Sequence, residues 1–339
     1  MTTPDFTELT DLASRALGAS VVAANDELFA QRENLINAWE PAFDPTAFGH
    51  KGKVYDGWET RRRREPGHDW AVVALGAPGV VRGVVVDTAW FKGNYPPHVS
   101  LEAVHLADYP SVAELLAAEW TTLVPRADCR GDTKNHYAVA DERVWTHVRL
   151  SIHPDGGVAR LRVHGEVVPR PELLDGTIDL VAAENGGRLV RTSDAFYASP
   201  AQLIVPGRAR HMGEGWENAR RRGGGNDFAV FALGLPGAVR RVEVDTGYYV
   251  GNAPGWVRVS VADARTGDLD DDAAWTDVVA RRPVLPDTRH HLPAEATTTA
   301  THVRLDVYPD GGLSRLRVWG EVREEDRAEA TRRWETLRP

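Results

Sequence analysis

The sequence predicts an all-β protein: two tandem antiparallel β-sandwiches of the jelly-roll type, with only short peripheral helices. Three observations point there: a domain-sized internal repeat, apolar side chains that alternate with a period of two, and many short strand-like runs separated by Gly and Pro turns.

The repeat appears when the chain is laid on itself. GWETRRRREPGHDWAVVALG (57–76) aligns with GWENARRRGGGNDFAVFALG (215–234), and VVVDTAWFKGNYP (84–96) with VEVDTGYYVGNAP (242–254), both at an offset of 158. HVRLSIHPDGGVARLRVHGEV (147–167) aligns with HVRLDVYPDGGLSRLRVWGEV (302–322) at an offset of 155. NDELFAQRENLI (25–36) matches SDAFYASPAQLI (193–204) at 168, so the first copy holds ten extra residues between Ile36 and Gly57. This period is far longer than the 20–50 residues of a solenoid. The two copies span 20–167 and 178–322, joined by a linker at 168–177.

Along the chain, Leu9, Leu12, Ala13, Ala16 and Leu17 form one apolar stripe stopped at Gly18, which predicts an N-terminal helical segment over 1–19. Ser111 and Glu114 stand at capping-box spacing and predict a short helix in SVAELLAAE. In 147–153, Val148, Leu150 and Ile152 alternate with polar residues. After PDGG the return run places Ala159, Leu161 and Val163 on one face and Arg160, Arg162 and His164 on the other, which predicts a hairpin. Trp70 and Phe228 read as core. The charged tail 323–339 reads as a terminal helix or a frayed end.

At 339 residues the chain has room for two cores, and it has no run of about 18 apolar residues. Its start carries acids where a signal peptide needs a basic, then apolar, stretch. Cys129 is the only cysteine, which excludes an internal disulfide and a thiolate metal cluster and suits a cytoplasmic setting. A formal net charge of −9 argues against nucleic acid as a partner, and nothing calls for a membrane. An anionic small molecule stays possible, because distant charges are screened over about 8 Å.

No HExxH, GxSxG, Walker loop or CxxC is present. Polar residues inside the repeated blocks remain. Asp56, Gly57, Trp58, Glu59, Arg61 and Arg62, with Glu214, Gly215, Trp216, Glu217 and Arg220, set a carboxylate beside guanidinium groups that suit an anionic substrate. A surface Glu–Arg network over a structural Trp explains them equally well. Asp87 and Asn94, with Asp245 and Asn252, follow an apolar strand, where loops carry function. The competing reading is an Asp that bonds its own turn. Lys92 has only Val250 opposite it. His136 and Tyr137 are aligned with His290 and His291 as possible acid–base or metal groups, against the plainer reading of ordinary histidines. PDGG reads as a turn and nothing more.

Together, KVYDGWETRRRR, VVVDTAWFKGN, HPDGGVARLRVHGEV, PGRARHMGEGWENARRR and YPDGGLSRLRVWGEV resemble the allantoicase family from about residue 20 to 322, in order and in both copies. The resemblance implies that allantoate and water become ureidoglycolate and urea. It also implies two jelly rolls of the galactose-binding-like type and a homo-oligomer. No cofactor is required by the sequence, although a divalent metal such as Mn²⁺ is associated with some members and no metal ligands stand out here. For that chemistry an arginine, Arg62 or Arg220, clamps the carboxylate. Glu59, Glu217, Asp87 and Asp245 are the base candidates, and Lys51, Lys92, His136 and His290 the acid candidates. Each proton transfer is worth about 10²–10⁴-fold. Two other classes stay open: a non-catalytic tandem carbohydrate- or small-ligand-binding sandwich, and a metal-dependent amidohydrolase of another pathway.

Overall fold

A computed structural model describes residues 5–339; the first four residues of the expected N-terminal segment lie outside it. Two compact units emerge, one running to Val168 and including Trp334–Pro339, the other Pro169–Arg333. The first contains β1 (Thr10–Asp11), β2 (Ser20–Ala24), β3 (Phe48–Gly49), β4 (Gly52–Lys53), β5 (Trp58–Glu59), β6 (Asp69–Asp87) and β7 (His98–Val104). After α1 (Val112–Ala117) come β8 (Thr121–Asp128), β9 (Lys134–Ala138), β10 (Val144–His153), β11 (Gly157–Val158) and β12 (Arg160–Val167). The second contains β13 (Thr177–Asp179), β14 (Arg188–Thr192), β15 (Asp227–Asp245) and β16 (Trp256–Ala262). It continues with β17 (Thr276–Pro283), β18 (Arg289–Pro293), β19 (Thr299–Tyr308), β20 (Arg315–Val322) and α2 (Glu324–Leu337), whose last residues belong to the first unit.

Each unit is an antiparallel sandwich whose two layers share one 19-residue strand. Early in β6, Val72 and Val73 pair with Arg149 and Val148 of β10, and β2 flanks the other side. Late in β6, Val84–Asp87 pair with β12 on one side and β9 on the other. Pro78 sits between the halves, where the ladder to β10 slips, because a proline lacks the N–H an interior strand needs. Strand β15 repeats the arrangement with β19 and β14 early, and β20 and β18 late. The first core is lined by Val73, Val148, Leu150, Ile152, Leu161 and Val163, and the second by Phe231, Val259, Leu305, Val307, Leu316 and Val318, all buried.

Three expectations change here. The 147–167 segment is not a hairpin: β10 and β12 pair with opposite halves of β6, so PDGG carries the chain from one layer to the other. The same holds for β19 and β20. No α-helix forms over the described part of 1–19. Leu12, Ala13 and Leu17 are buried, but Thr10 and Asp11 pair with Gly165 and His164 of β12, and Asp11 Oδ1 accepts the Val163 N–H at 3.0 Å. Tertiary pairing overrides the local period, although Gly18 still ends a short 3₁₀ turn at φ 106°. Trp70 and Phe228 are half-buried at the edges of their cores. The other helices form as expected: Ser111 and Glu114 make a reciprocal capping box at α1, and the tail forms α2.

Candidate active site

The GWE segment is held from three sides in each unit. Trp58 is fully buried, and its indole N–H donates to Asp26 O at 2.7 Å; Trp216 does the same to Asp194 O at 2.9 Å. Glu59 shares a main-chain bridge with Ala30 and pairs with Gly157 on its other side. Glu217 bridges Ala198 likewise. The backbone under both glutamates is therefore fixed, and each side chain reaches one partner: Asn94 Nδ2 donates to Glu59 Oε1 at 2.6 Å, and Asn252 Nδ2 to Glu217 Oε1 at 2.8 Å. Burial raises the pKa of Glu59 above the usual carboxylate range, opposed by the Asn94 amide.

PDGG builds this site rather than merely turning the chain. Asn94 O accepts the Gly157 N–H at 2.7 Å, and Asn252 O the Gly312 N–H at 2.8 Å. Asp155 and Asp310 accept the main-chain N–H of Arg63 and Arg221 at 2.8 and 2.6 Å. A side chain at Gly157 would enter the Phe91 ring, 2.0 Å from its Cε1. Just before that ring, Trp90 takes φ 71° and its counterpart Tyr248 φ 70°. Bulky residues rarely adopt this conformation, at a cost of about 1–3 kcal/mol. Asp132 and Asp287 hold them by accepting the Trp90 and Tyr248 N–H at 2.8 and 2.7 Å.

The remaining candidates scatter into other roles. Asp87 and Asp245 are buried, and each Oδ1 accepts the N–H two residues on, from Ala89 and Gly247, at 2.8 Å. That is the turn-bonding alternative; burial raises the Asp87 pKa against the Ala89 bond. Arg61 pairs with Asp26, while Arg62 and Arg220 are exposed. Lys51 is exposed on the turn between β3 and β4, and Lys92 is exposed with Nζ 3.7 Å from Asp132. His136 is exposed on β9, its ring 6.3 Å from that of Phe6.

The histidine alignment was one residue out. Strand register sets His136 against Val85 and His291 against Glu243, whereas His290 opposes Val244 as Asn135 opposes Val86. His290 also does Asn135's work. Its Nδ1–H donates to Val244 O at 3.1 Å, and its Nε2 accepts the Leu285 N–H at 2.9 Å. Asn135 donates to Val86 O and accepts the Arg130 N–H. His290 is a loop tether.

Sequence reasoning missed Arg160 and Arg315. Arg160 does lie on the face opposite Leu161, but it and its counterpart Arg315 are only 1% and 4% exposed, covered by the segments that precede GWE. Arg160 donates to Trp39 O, Asp56 O and Asp56 Oδ2, the last at 2.7 Å. Asp56 is thus the counter-ion of a buried guanidinium, and Glu214 is held by Arg210 at 2.7 Å. Their signal was present: RLRV recurs in both copies. Tyr249 was also passed over. Its hydroxyl donates to Met212 O at 2.8 Å, and burial and the Glu217 carboxylate raise its pKa while Arg315 opposes them.

Cys129 is buried, which pushes its thiol up to about 11 and makes it a poor nucleophile. Among the described residues no three His, Cys, Asp or Glu side chains gather to hold a metal ion. Each Glu–Asn pair offers a single carboxylate, one oxygen of which already accepts an amide N–H. That is too few oxygen donors for the octahedral shell Mn²⁺ prefers, and no step is routed through a metal. No helix among the described residues is long and apolar enough to cross a membrane.

An allantoicase-repeat family model matches residues 10–168 and 178–323. A "probable allantoicase" of Streptomyces avermitilis is 50% identical, over 98% of this chain and 90% of its own length. One from Nocardia farcinica is 52% identical, over 94% and 95%. The crystal structure of allantoicase from Saccharomyces cerevisiae superposes with a TM-score of 0.79 at 33% identity, covering 92% of each chain. Both repeats, nearly the whole sequence and the fold agree, and the chain belongs to the allantoicase family.

Proposed function

We propose that this protein hydrolyses allantoate to ureidoglycolate and urea in purine degradation, with a Glu–Asn pair as its acid–base element. Family membership supports the reaction, and the observation that carries the site is the pair's recurrence, as Glu59–Asn94 and Glu217–Asn252, on the same fixed backbone. In the net reaction one C–N bond at the central carbon breaks and a C–O bond forms. One proton of water ends on the leaving nitrogen, so urea departs neutral. A carboxylate held by a single amide keeps its second oxygen available to take a proton from water or from the neighbouring ureido N–H and return it to the leaving nitrogen. The amide holds the carboxylate in position without supplying a charge that would weaken it as a base.

The enzyme is read as cytoplasmic, consistent with its single buried thiol, and as a homo-oligomer without nucleic-acid or membrane partners. The test is to incubate purified protein with allantoate and measure urea and ureidoglycolate, for wild type, Glu59→Gln, Glu217→Gln and the double variant. Urea release should fall strongly in the double variant while the fold persists. Wild-type turnover there would remove both glutamates from the mechanism.

A further inference from the structure

The two units bury the same arginine but neutralise it differently. In the first, Asp56 Oδ2 lies 2.7 Å from Arg160 Nη2, held there by the Ala42 N–H at 3.1 Å. Ala42 lies in the segment 37–56, ten residues longer than its counterpart 205–214, as do Phe43 and Tyr55. These stack in series from Trp90 through Phe43 and Tyr55 to Phe91, at 5.6, 5.2 and 4.7 Å, and roof the loop.

In the second unit that segment is ten residues shorter. Arg315 donates through Nε to Gly207 O at 3.2 Å and through Nη1 to Glu214 O and Ser314 O at 2.7 and 2.6 Å. Glu214 has turned to Arg210, and no carboxylate comes within 4.0 Å of Arg315 among the described residues. Nη2 has no protein acceptor and keeps some access to solvent. Asp245 and Glu214 are near enough to be felt, but burial dominates and lowers the Arg315 pKa to about 10, leaving it charged at neutral pH. Arg208 stands exposed beside it, with Nε 3.7 Å from Asp245. Tyr249, which senses both Glu217 and Arg315, links this guanidinium to the Glu217–Asn252 pair. The first unit has Phe91 in its place.

We propose that the second unit alone receives the carboxylate of the substrate, on the open edge of Arg315, and that in the first unit Asp56 fills that position. A buried guanidinium without a counter-ion, hydrogen-bonded only to carbonyls, is built to accept a planar anion. The assignment rests on the hydrolase reading above and locates its anion subsite.

The test is calorimetric and does not depend on turnover. Hydantoate, a carboxylate carrying one ureido group, is titrated into the full-length protein, with its uncharged amide as control. One hydantoate per chain is expected, with the amide binding at least tenfold more weakly. Arg315→Met should abolish binding. Because Arg315 is buried and its replacement also perturbs folding, Glu214→Asp is the second variant. The Glu214 carbonyl meets Arg315 Nη1 as the Asp56 carbonyl meets Arg160. A shorter carboxylate there falls on Nη2 and should weaken hydantoate at least tenfold in a folded protein. Unchanged affinity in folded Glu214→Asp, equal binding of the amide, or two equivalent sites per wild-type chain would overturn the assignment. Absence of urea release with these binding results intact would instead count against the hydrolase reading.

Discussion

Asn94 and Asn252 each give one amide hydrogen to a glutamate, at 2.6 and 2.8 Å. Replacing either by Ala removes that donor and spares the loop, whose main-chain carbonyl still accepts from Gly157 or Gly312. A hydrogen bond to an ionised group is worth about 1.5–3 kcal/mol, and each 1.36 kcal/mol of barrier is about tenfold in rate. A glutamate that loses it is both less well aimed and less readily ionised. In the unit that performs the chemistry, kcat/KM for urea release should therefore fall roughly 10- to 150-fold. With the substrate carboxylate docked on Arg315, Asn252→Ala carries this loss and Asn94→Ala stays near wild type. The assay is initial-rate urea release across a range of allantoate concentrations, with circular dichroism and Tm confirming the fold. Wild-type kcat/KM in folded Asn252→Ala, or the full loss in Asn94→Ala alone, refutes the reasoning.

Other expectations concern stability and metal. The Glu59 pKa is raised in the fold by burial, so its favourable contribution is complete below the unfolded pKa and fades as pH rises through the folded one. Glu59→Gln should accordingly match or exceed the wild-type Tm at pH 7, with the gap closing toward pH 4; a Tm that drops at pH 7 contradicts this. His290→Asn, which copies Asn135, should keep Tm and activity close to wild type, whereas His290→Ala loses about 1–3 kcal/mol in urea unfolding. Equal losses in both variants would show that the ring itself matters. Dialysis against EDTA should leave urea release unchanged, since no ligand cluster forms among the described residues; a loss restored by Mn²⁺ would prove otherwise.

The duplication, the β class and the family were all legible from residues alone, because each is written locally. Similar blocks recur in the same order at offsets of 158, 155 and 168, and alternation at 147–153 marks the apolar face of one strand. The Glu59 and Asn94 candidates were visible as well, each inside a recurring block. Their pairing was not, since 35 residues separate them and only the return of PDGG to the loop brings them together. The same limit explains the hairpin that did not form. Alternation marks two strands, but it is the long β6, whose ladder to β10 slips around Pro78, that decides which layer each one joins.

What the chain determined by itself is a pair of equivalent sandwiches, each with one glutamate above a buried tryptophan. What only the tertiary structure decided is how they differ. Ten additional residues, unremarkable in composition, bring the Ala42 N–H to Asp56 and hold that carboxylate against Arg160. Without them Glu214 turns to Arg210 and leaves the guanidinium of Arg315 open. A counter-ion acts only over a few ångströms, and no pattern along a sequence specifies which of two nearby arginines a carboxylate will meet.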